Sequence, residues 1–149
     1  MPLLAGGPCW QAKGPDITLG GNAKFETNNP GHTASNFVDF VQSSDDYVEW
    51  TVFASFATSA EVSFRYALGK NVGTNNRNLR LSVNCHAVTT EVEFPGTGGW
   101  SNWIQSSSVN PVLTVALDVG DNNIRLIAFG DSGPNIDAMT LSSCTASPY

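Results

Sequence analysis

The segment Phe94–Trp103 (FPGTGGWSNW) has the composition best suited to binding chemistry. It holds two of the chain's four tryptophans, Trp100 and Trp103, beside three glycines and a proline. Glycine and proline favour turns, and large rings held at a turn present flat apolar faces to a ligand. A sugar ring can stack on such a face. The equally good alternative is that one or both indoles close the end of a hydrophobic core.

Sugar recognition also needs planar hydrogen-bonding groups, and loops are where such groups are usually displayed. The candidate ligand residues come from three predicted loops and are Phe37, Trp100, Trp103, Asp131 and Asn135. Asn135 has an alternative role, because an Asn that follows Gly-Pro often bonds the backbone of its own turn.

Catalytic groups are poorly represented. His32 and His86 lie in predicted turns without a partner motif, and neither Gly-x-Ser-x-Gly nor His-Glu-x-x-His occurs. The closest carboxylate pairs are Asp45-Asp46 and Glu91-x-Glu93. A glycosidase needs two carboxylates on opposite sides of a sugar, which these pairs are poorly spaced to provide. We therefore predict that the chain is not an enzyme.

Composition limits the choice of partners. The 149 residues suit one domain, and the 41% hydrophobic content can form one core. Only 13% of residues are charged, the net charge is -6, and no block of like charge occurs, so nucleic acid and membranes are poor partners.

Residues 1–7 lack signal-peptide features. We expect an artificial boundary there or a cut from a longer secreted protein.

The elements that position the candidate residues are predicted to be strands. Period-2 runs recur between turn signals, which predicts an antiparallel β-sandwich of nine or ten strands. Val48, Trp50 and Val52 alternate with polar residues, so Trp50 is assigned to the core. Separate strands are predicted at 10–13, 17–19 and 124–129, with loops at 28–32, 94–103 and 130–134.

The three cysteines match neither a zinc site nor a Cys-x-x-Cys motif. Cys9 and Cys144 lie near opposite ends of the domain, and chain termini are often close together. A disulfide between them is a hypothesis. Cys85 would then be a free thiol, which we expect to be buried as a small hydrophobe.

Several segments stand in an order that resembles carbohydrate-binding modules of families 6 and 35. They are Phe64–Ala67, Leu81–Asn84, Phe94–Trp103, Asn123–Leu126 and Asn135–Asp137. The resemblance spans about residues 10–141 and implies a non-catalytic β-sandwich of the galactose-binding-like, jelly-roll type. It implies one module over residues 1–149, with a core at about 9–144. It also implies a secreted module that targets an appended glycoside hydrolase or lyase to a β-linked polysaccharide of the xylan, β-glucan, mannan or galactan class.

The resemblance also assigns roles to three of the candidate residues. Two aromatics from separate loops wall the cleft in such modules, with an Asn between them. Trp100 and Phe37 match the walls, and Asn135 matches the hydrogen-bonding residue at the floor. Phe37 stands where a Tyr is common, so it keeps the stacking face and loses a hydroxyl. Trp103 is expected to pack beneath the cleft.

The resemblance also implies a structural calcium, which in these families is held partly by acidic residues of a first-strand Glu-Ala-Glu and by the Asp of the last strand. The corresponding residues here are Gln11, Ala12, Lys13 and Asp137. Calcium prefers several charged oxygen ligands, so Asp137 and Gln11 are metal-ligand candidates, whereas the Lys13 ammonium would repel the ion. No metal is required if Lys13 forms an ion pair with Asp137, which is our hypothesis.

Two alternatives stay open at this point. Arg65 and Arg80 would mark a second sugar site if both project from the concave face, or they simply solubilise that face. The alternative function is a structural or adhesive β-sandwich that contacts protein partners through buried aromatics.

Overall fold

The computed structural model describes residues 10–33, 35–74 and 76–142, with backbone alone at 10–16 and at Thr90. Across these ranges the chain forms eleven β-strands and one short 3-10 helix, Ser106–Ser108. The strands are β1 (Trp10–Gly20), β2 (Lys24–Glu26), β3 (Phe37–Asp39), β4 (Ser44–Ala54), β5 (Thr58–Leu68), β6 (Leu79–Val83), β7 (His86–Val92), β8 (Gly99–Gln105), β9 (Leu113–Leu117), β10 (Gly120–Phe129) and β11 (Asn135–Leu141).

The strands form two sheets with antiparallel pairing, which confirms the predicted β-sandwich. The five-stranded sheet has the order β1-β4-β10-β6-β7. The six-stranded sheet has the order β2-β3-β11-β5-β8, with β9 paired to β5. No helix in the described ranges has the length and apolar character needed to cross a membrane.

The core lies between the sheets and follows from the alternation of apolar residues. In β4, Val48, Trp50 and Val52 are fully buried while their neighbours in sequence are more exposed. The Trp50 ring packs against Phe64 at 5.7 Å between centroids, and Tyr66 contacts Phe94 edge-on at 4.9 Å. Each large buried side chain contributes about 2–3 kcal/mol of transfer free energy. The prediction that Trp50 belongs to the core is confirmed.

Two strand boundaries differ from the prediction. Strand β1 is continuous over Trp10–Gly20, and the Gly14-Pro15 segment falls within a register shift between Ala12 and Ile17 rather than ending the strand. Strand β10 begins at Gly120 rather than at Ile124. The buried Asn122 explains the second difference, because its amide donates to the Asp118 carbonyl at 2.8 Å and closes the preceding turn.

The predicted loop at 94–103 becomes a strand in its second half. Strand β8 begins at Gly99 and pairs with β5, so Trp100 and Trp103 lie on a strand at the edge of the sheet. The remaining turn is fixed to β5 by the Tyr66 hydroxyl, which donates to the Pro95 carbonyl at 2.7 Å. Burial raises the pKa of that hydroxyl.

The expected burial of Cys85 is wrong. Cys85 is an exposed free cysteine in the turn between β6 and β7, where Asn84 and Cys85 have φ values of 52° and 67°. The left-handed backbone of this tight hairpin turn directs the residue toward solvent. Cys9 and Cys144 lie outside the described residues, so their disulfide stays a hypothesis.

The hypothesis of a concave face shared by Arg65 and Arg80 is also wrong. Arg65 lies on β5 in the six-stranded sheet, whereas Arg80 lies on β6 in the five-stranded sheet. The Arg80 guanidinium lies over the Phe129 ring, 4.7 Å from its centroid. Because the two sheets pack face to face, outward residues of one cannot share a surface with those of the other.

Candidate functional site

A cleft of about 250 Å³ opens on the six-stranded sheet beside the loop that joins β2 to β3. Three of its lining residues are candidate ligand residues from the sequence analysis, and three are not. Its lining residues are Asn28, Asn29, Phe37, Asp39, Trp100 and Asn135. Strand β3 provides one side, β11 carries Asn135 between, and β8 provides Trp100 at the other side.

Trp100 supplies the aromatic surface of the cleft. It lies near the start of β8 and is half-buried, with part of its ring packed against the core. The Arg77 guanidinium lies 5.6 Å from the ring centroid and is itself held by hydrogen bonds to Ser132 Oγ and the Gly133 carbonyl. The indole is therefore held in place while it still lines an open cleft.

Asn135 lies at the start of β11, where its backbone pairs with Ala67. The residue is 5% exposed and lines the cleft, yet its side-chain amide makes no hydrogen bond to any described residue. The alternative role, bonding the backbone of the preceding turn, is thus not observed in the described part of the chain. An amide has two donor hydrogens and an acceptor oxygen, and no described residue uses those of Asn135.

Three polar residues of the cleft were missed by sequence reasoning. Asn28 and Asn29 belong to a segment predicted only as a loop, and Asp39 ends a strand. Among the described residues their side chains have no hydrogen-bond partner. Burial raises the pKa of the Asp39 carboxyl, and Glu26 and Asp46 add to that effect, while Lys24 and Arg77 oppose it.

Phe37 lies at the cleft but does not offer the stacking face that the sequence predicted. It is 1% exposed, and its ring contacts Trp103 at 5.3 Å and His32 at 5.6 Å between centroids. Because these neighbours cover the ring, Phe37 adds only a small apolar surface to the wall. The expectation of two accessible aromatic walls is wrong, and one accessible aromatic, Trp100, is observed in the described cleft.

Trp103 and Asp131 are not among the lining residues. Trp103 packs behind the cleft, where its indole Nε1 donates to the Pro30 carbonyl at 2.8 Å. This position agrees with the expectation that Trp103 packs beneath the site. Asp131 is exposed in the loop before β11.

Asp137 is fully buried and its carboxylate already has three donors. The Thr33 amide donates to Oδ1 at 2.9 Å, and the Thr33 hydroxyl donates to Oδ2 at 2.9 Å. The Arg65 guanidinium lies 2.7 Å from Oδ2. The sequence-based hypothesis paired Asp137 with Lys13, but the structure describes only the backbone of Lys13 and Gln11. The partner observed is Arg65.

No group of three or more His, Cys, Asp or Glu residues suited to a metal occurs in the part of the chain described.

Asp46, one of the carboxylates considered for catalysis, is buried and accepts hydrogen bonds from the backbone amides of Asn22, Val41 and Gln42. These bonds give it a structural role in two turns.

A second cavity, also of about 250 Å³, lies between β7 and β9. Its lining includes Glu91 and Glu93, and none of the described residues that line it is aromatic. Without a ring for stacking, this cavity is less suited to a saccharide than the Trp100 cleft is.

Comparison with known proteins finds no matching family model. Among relatives, an exo-β-D-glucosaminidase of Amycolatopsis orientalis is 34% identical over 133 residues, which are 89% of this chain and 12% of that enzyme. A cycloisomaltooligosaccharide glucanotransferase of Niallia circulans is 30% identical over 128 residues, 85% of this chain and 12% of that enzyme. The chain thus spans about an eighth of the length of these relatives.

Solved structures match over nearly the whole of both chains. A family 35 carbohydrate-binding module from Clostridium thermocellum has 34% identity and a TM-score of 0.76, covering 89% of this chain and 95% of that one. The family 35 module from Paenibacillus barcinonensis has 31% identity and a TM-score of 0.74, covering 90% and 98%. Another family 35 module, solved with a disaccharide that contains glucuronic acid, has 25% identity and a TM-score of 0.71, covering 92% and 94%.

Proposed function

This chain belongs to family 35 of the carbohydrate-binding modules, and from that premise we propose that the cleft beside Trp100 is its saccharide site. Such modules are non-catalytic, which agrees with the prediction that the chain is not an enzyme. The task of such a module is to hold its ligand by non-covalent contacts, such as ring stacking and hydrogen bonds.

One observation carries the proposal. The cleft combines an indole with three Asn amides and a carboxyl group, none of which bonds to another described side chain or backbone group. Buried or half-buried polar groups are usually paired within a protein, so the unused groups of Asn29, Asp39 and Asn135 around one ring indicate an external partner. The exposed Asn28 amide lies beside them in the same cleft. A sugar offers both an apolar C–H face for the ring and hydroxyls that donate and accept. Trp100 would stack on the sugar, while Asn135, Asn28 and Asn29 would bond its hydroxyls.

We propose a neutral β-linked polysaccharide of the xylan, β-glucan, mannan or galactan class as ligand. The Asp39 carboxylate supports this choice, because it accepts hydrogen bonds from hydroxyls but repels a carboxylate on the sugar. A related module binds a disaccharide that contains glucuronic acid, so acidic sugars are the natural competitor in a test. Arg77 lies near the ring, but its donors are partly committed to Ser132 and Gly133.

We further propose that the module works outside the cell as part of a longer protein, where it holds an appended glycoside hydrolase or lyase on its polysaccharide. Support comes from the glucosaminidase and glucanotransferase relatives, of which this chain matches about an eighth. Attachment raises the effective concentration of a catalytic domain at the polysaccharide without any new contact to it.

Affinity electrophoresis through gels that contain one polysaccharide each tests this function. We expect retardation by at least one neutral polysaccharide and a weaker effect from a glucuronic-acid-bearing xylan. Retardation by the acidic xylan alone would overturn the proposed ligand class. No retardation in any gel, together with concentration-dependent self-association, would instead favour the adhesive alternative.

A further inference from the structure

We propose that Arg65 takes the place of a structural cation at Asp137, and that the resulting clamp positions the loop that walls the cleft. This loop, residues 28–33, is called the cleft loop here. The effect on sugar affinity rests on the function proposed above, whereas the clamp and its independence of metal do not.

The chemistry of the donors around Asp137 does not fit a calcium ion. Calcium takes six to eight oxygen ligands, preferably several of them charged. Asp137 is one buried carboxylate, no acidic cluster surrounds it among the described residues, and both of its oxygens accept hydrogen bonds. A cation in contact with Oδ2 would also face the Arg65 guanidinium, which is 2.7 Å from that atom.

Arg65 instead meets the needs of the buried charge directly. A carboxylate removed from water must be paired and hydrogen-bonded, and a guanidinium does both at once. The side chain of Arg65 is 29% exposed, so it connects the buried carboxylate to the surface of the sheet. Charge balance at Asp137 is therefore reached by residues of the described chain.

Asp137 and Arg65 hold the cleft loop at two residues, and Trp103 holds it at a third. Asp137 accepts from the backbone and hydroxyl of Thr33, and Arg65 donates to the Gly31 carbonyl at 2.9 Å. Trp103 donates to the Pro30 carbonyl at 2.8 Å, and its ring lies 5.7 Å from the Arg65 guanidinium carbon. Asn28 and Asn29 directly precede these anchored residues, so fixing the anchors limits where the two amides can lie.

Fixing a binding loop before the ligand arrives raises affinity, because less conformational freedom is lost on binding. Arg65 does not line the cleft, so we regard it as a positioning residue. Loss of the guanidinium should release the cleft loop while the ring of Trp100 stays in place on its own strand.

The test compares Arg65→Met and Asp137→Asn with the matched control Arg125→Met. Arg125 forms a similar half-exposed ion pair, 3.0 Å from Glu49, and its guanidinium lies 3.8 Å from the Tyr47 ring centroid, but it is on the other sheet. Three quantities are measured: hydrogen exchange of the Thr33 amide and the Trp103 indole N–H, polysaccharide affinity, and Tm with calcium or with chelator.

We expect the Tm of the parent to be the same in calcium and in chelator. Arg65→Met should lower the Tm by about 5–10 °C, since it leaves a buried carboxylate without its charge partner. It should also speed exchange at Thr33 and Trp103 about tenfold or more and weaken polysaccharide binding about tenfold. Arg125→Met should leave both exchange rates and the affinity as in the parent.

A calcium-dependent rise in the parent's Tm that disappears in Asp137→Asn would overturn the replacement of the metal. Parental exchange rates in Arg65→Met would overturn the clamp. If Arg65→Met does not fold, Arg65→Lys keeps the charge and should show faster exchange to a smaller extent. Because exchange is measured without sugar, a failure of the proposed ligand would not be mistaken for a failure of the clamp.

Discussion

The indole of Trp100 lies so close to Gly69 that a Cβ at residue 69 would come within 2.2 Å of the indole Nε1. Gly69 follows β5, the strand to which β8 is paired, so the ring rests directly on neighbouring backbone. Glycine is needed here for space rather than for an unusual backbone angle. The orientation of the only accessible aromatic in the described cleft therefore depends on a residue that does not itself line the cleft.

Gly69→Ala should weaken polysaccharide binding about tenfold by displacing the ring. The overpacking should also cost about 1–3 kcal/mol of stability. Isothermal titration calorimetry and urea unfolding measure the two effects. Gly99→Ala is the matched control, because a Cβ there would meet the flexible amide of Asn102 at 3.2 Å. Equal affinity in Gly69→Ala and the parent would show that ring orientation does not matter.

Asn135→Ala should reduce affinity without unfolding the module. Its amide makes no hydrogen bond within the described structure, so its removal should change stability by less than about 1 kcal/mol. Loss of a hydrogen bond to the ligand should cost about 1–1.5 kcal/mol of binding, or about tenfold in Kd. Calorimetric titration checks the affinity, and a parental Kd would remove Asn135 from the binding site.

Asp39→Asn should stabilise the module at neutral pH. The folded-state pKa of Asp39 is raised above its ordinary value of 3.8, chiefly by burial, so the ionised form opposes folding. This cost is present above the folded pKa, shrinks as the pH falls through it and is absent below 3.8, where both states are protonated. The difference in Tm between variant and parent should follow the same course. A difference that is constant with pH would contradict this account.

Ser106→Ala should separate stability from binding. The Ser106 hydroxyl accepts a hydrogen bond from the buried backbone amide of Phe64 at 2.8 Å, and neither residue lines the cleft. Leaving that amide unpaired should cost about 1–3 kcal/mol in urea unfolding, with no change in affinity. Ser108→Ala, in the same 3-10 helix but exposed, should change stability by about 0.5 kcal/mol or less. A similar loss of unfolding free energy in both variants would show that the hydrogen bond to the Phe64 amide does not contribute specifically to stability.

The sequence predicts those parts of the fold that depend on local pattern. Alternation around Trp50 placed that strand and its core side correctly, because period-2 burial is a property of neighbouring residues. The Gly-rich segment that contains Trp100 was predicted as a loop, since its composition favours turns. It becomes a strand because β5 lies beside it, and that pairing is not visible in the segment itself.

The sequence predicts only part of the cleft, because residue type is visible in the sequence whereas long-range pairing is not. Trp100 and Asn135 could be selected by residue type and by family resemblance, and both line it. The burial of Phe37 depends on Trp103, which is distant in sequence, and the partner of Asp137 depends on how β5 pairs with β11. Asp39 and the two loop asparagines carry no signal of their own. Long-range pairing, rather than residue type, decides these details.

The measurement that tests the central claim most directly is affinity electrophoresis of Trp100→Ala beside the parent and Phe53→Ala. Phe53 is 39% exposed on the five-stranded sheet, so its variant controls for the loss of a surface aromatic. We predict that Trp100→Ala migrates without retardation and melts cooperatively, while Phe53→Ala is retarded like the parent. Retardation of folded Trp100→Ala equal to that of the parent would contradict a saccharide site at this cleft.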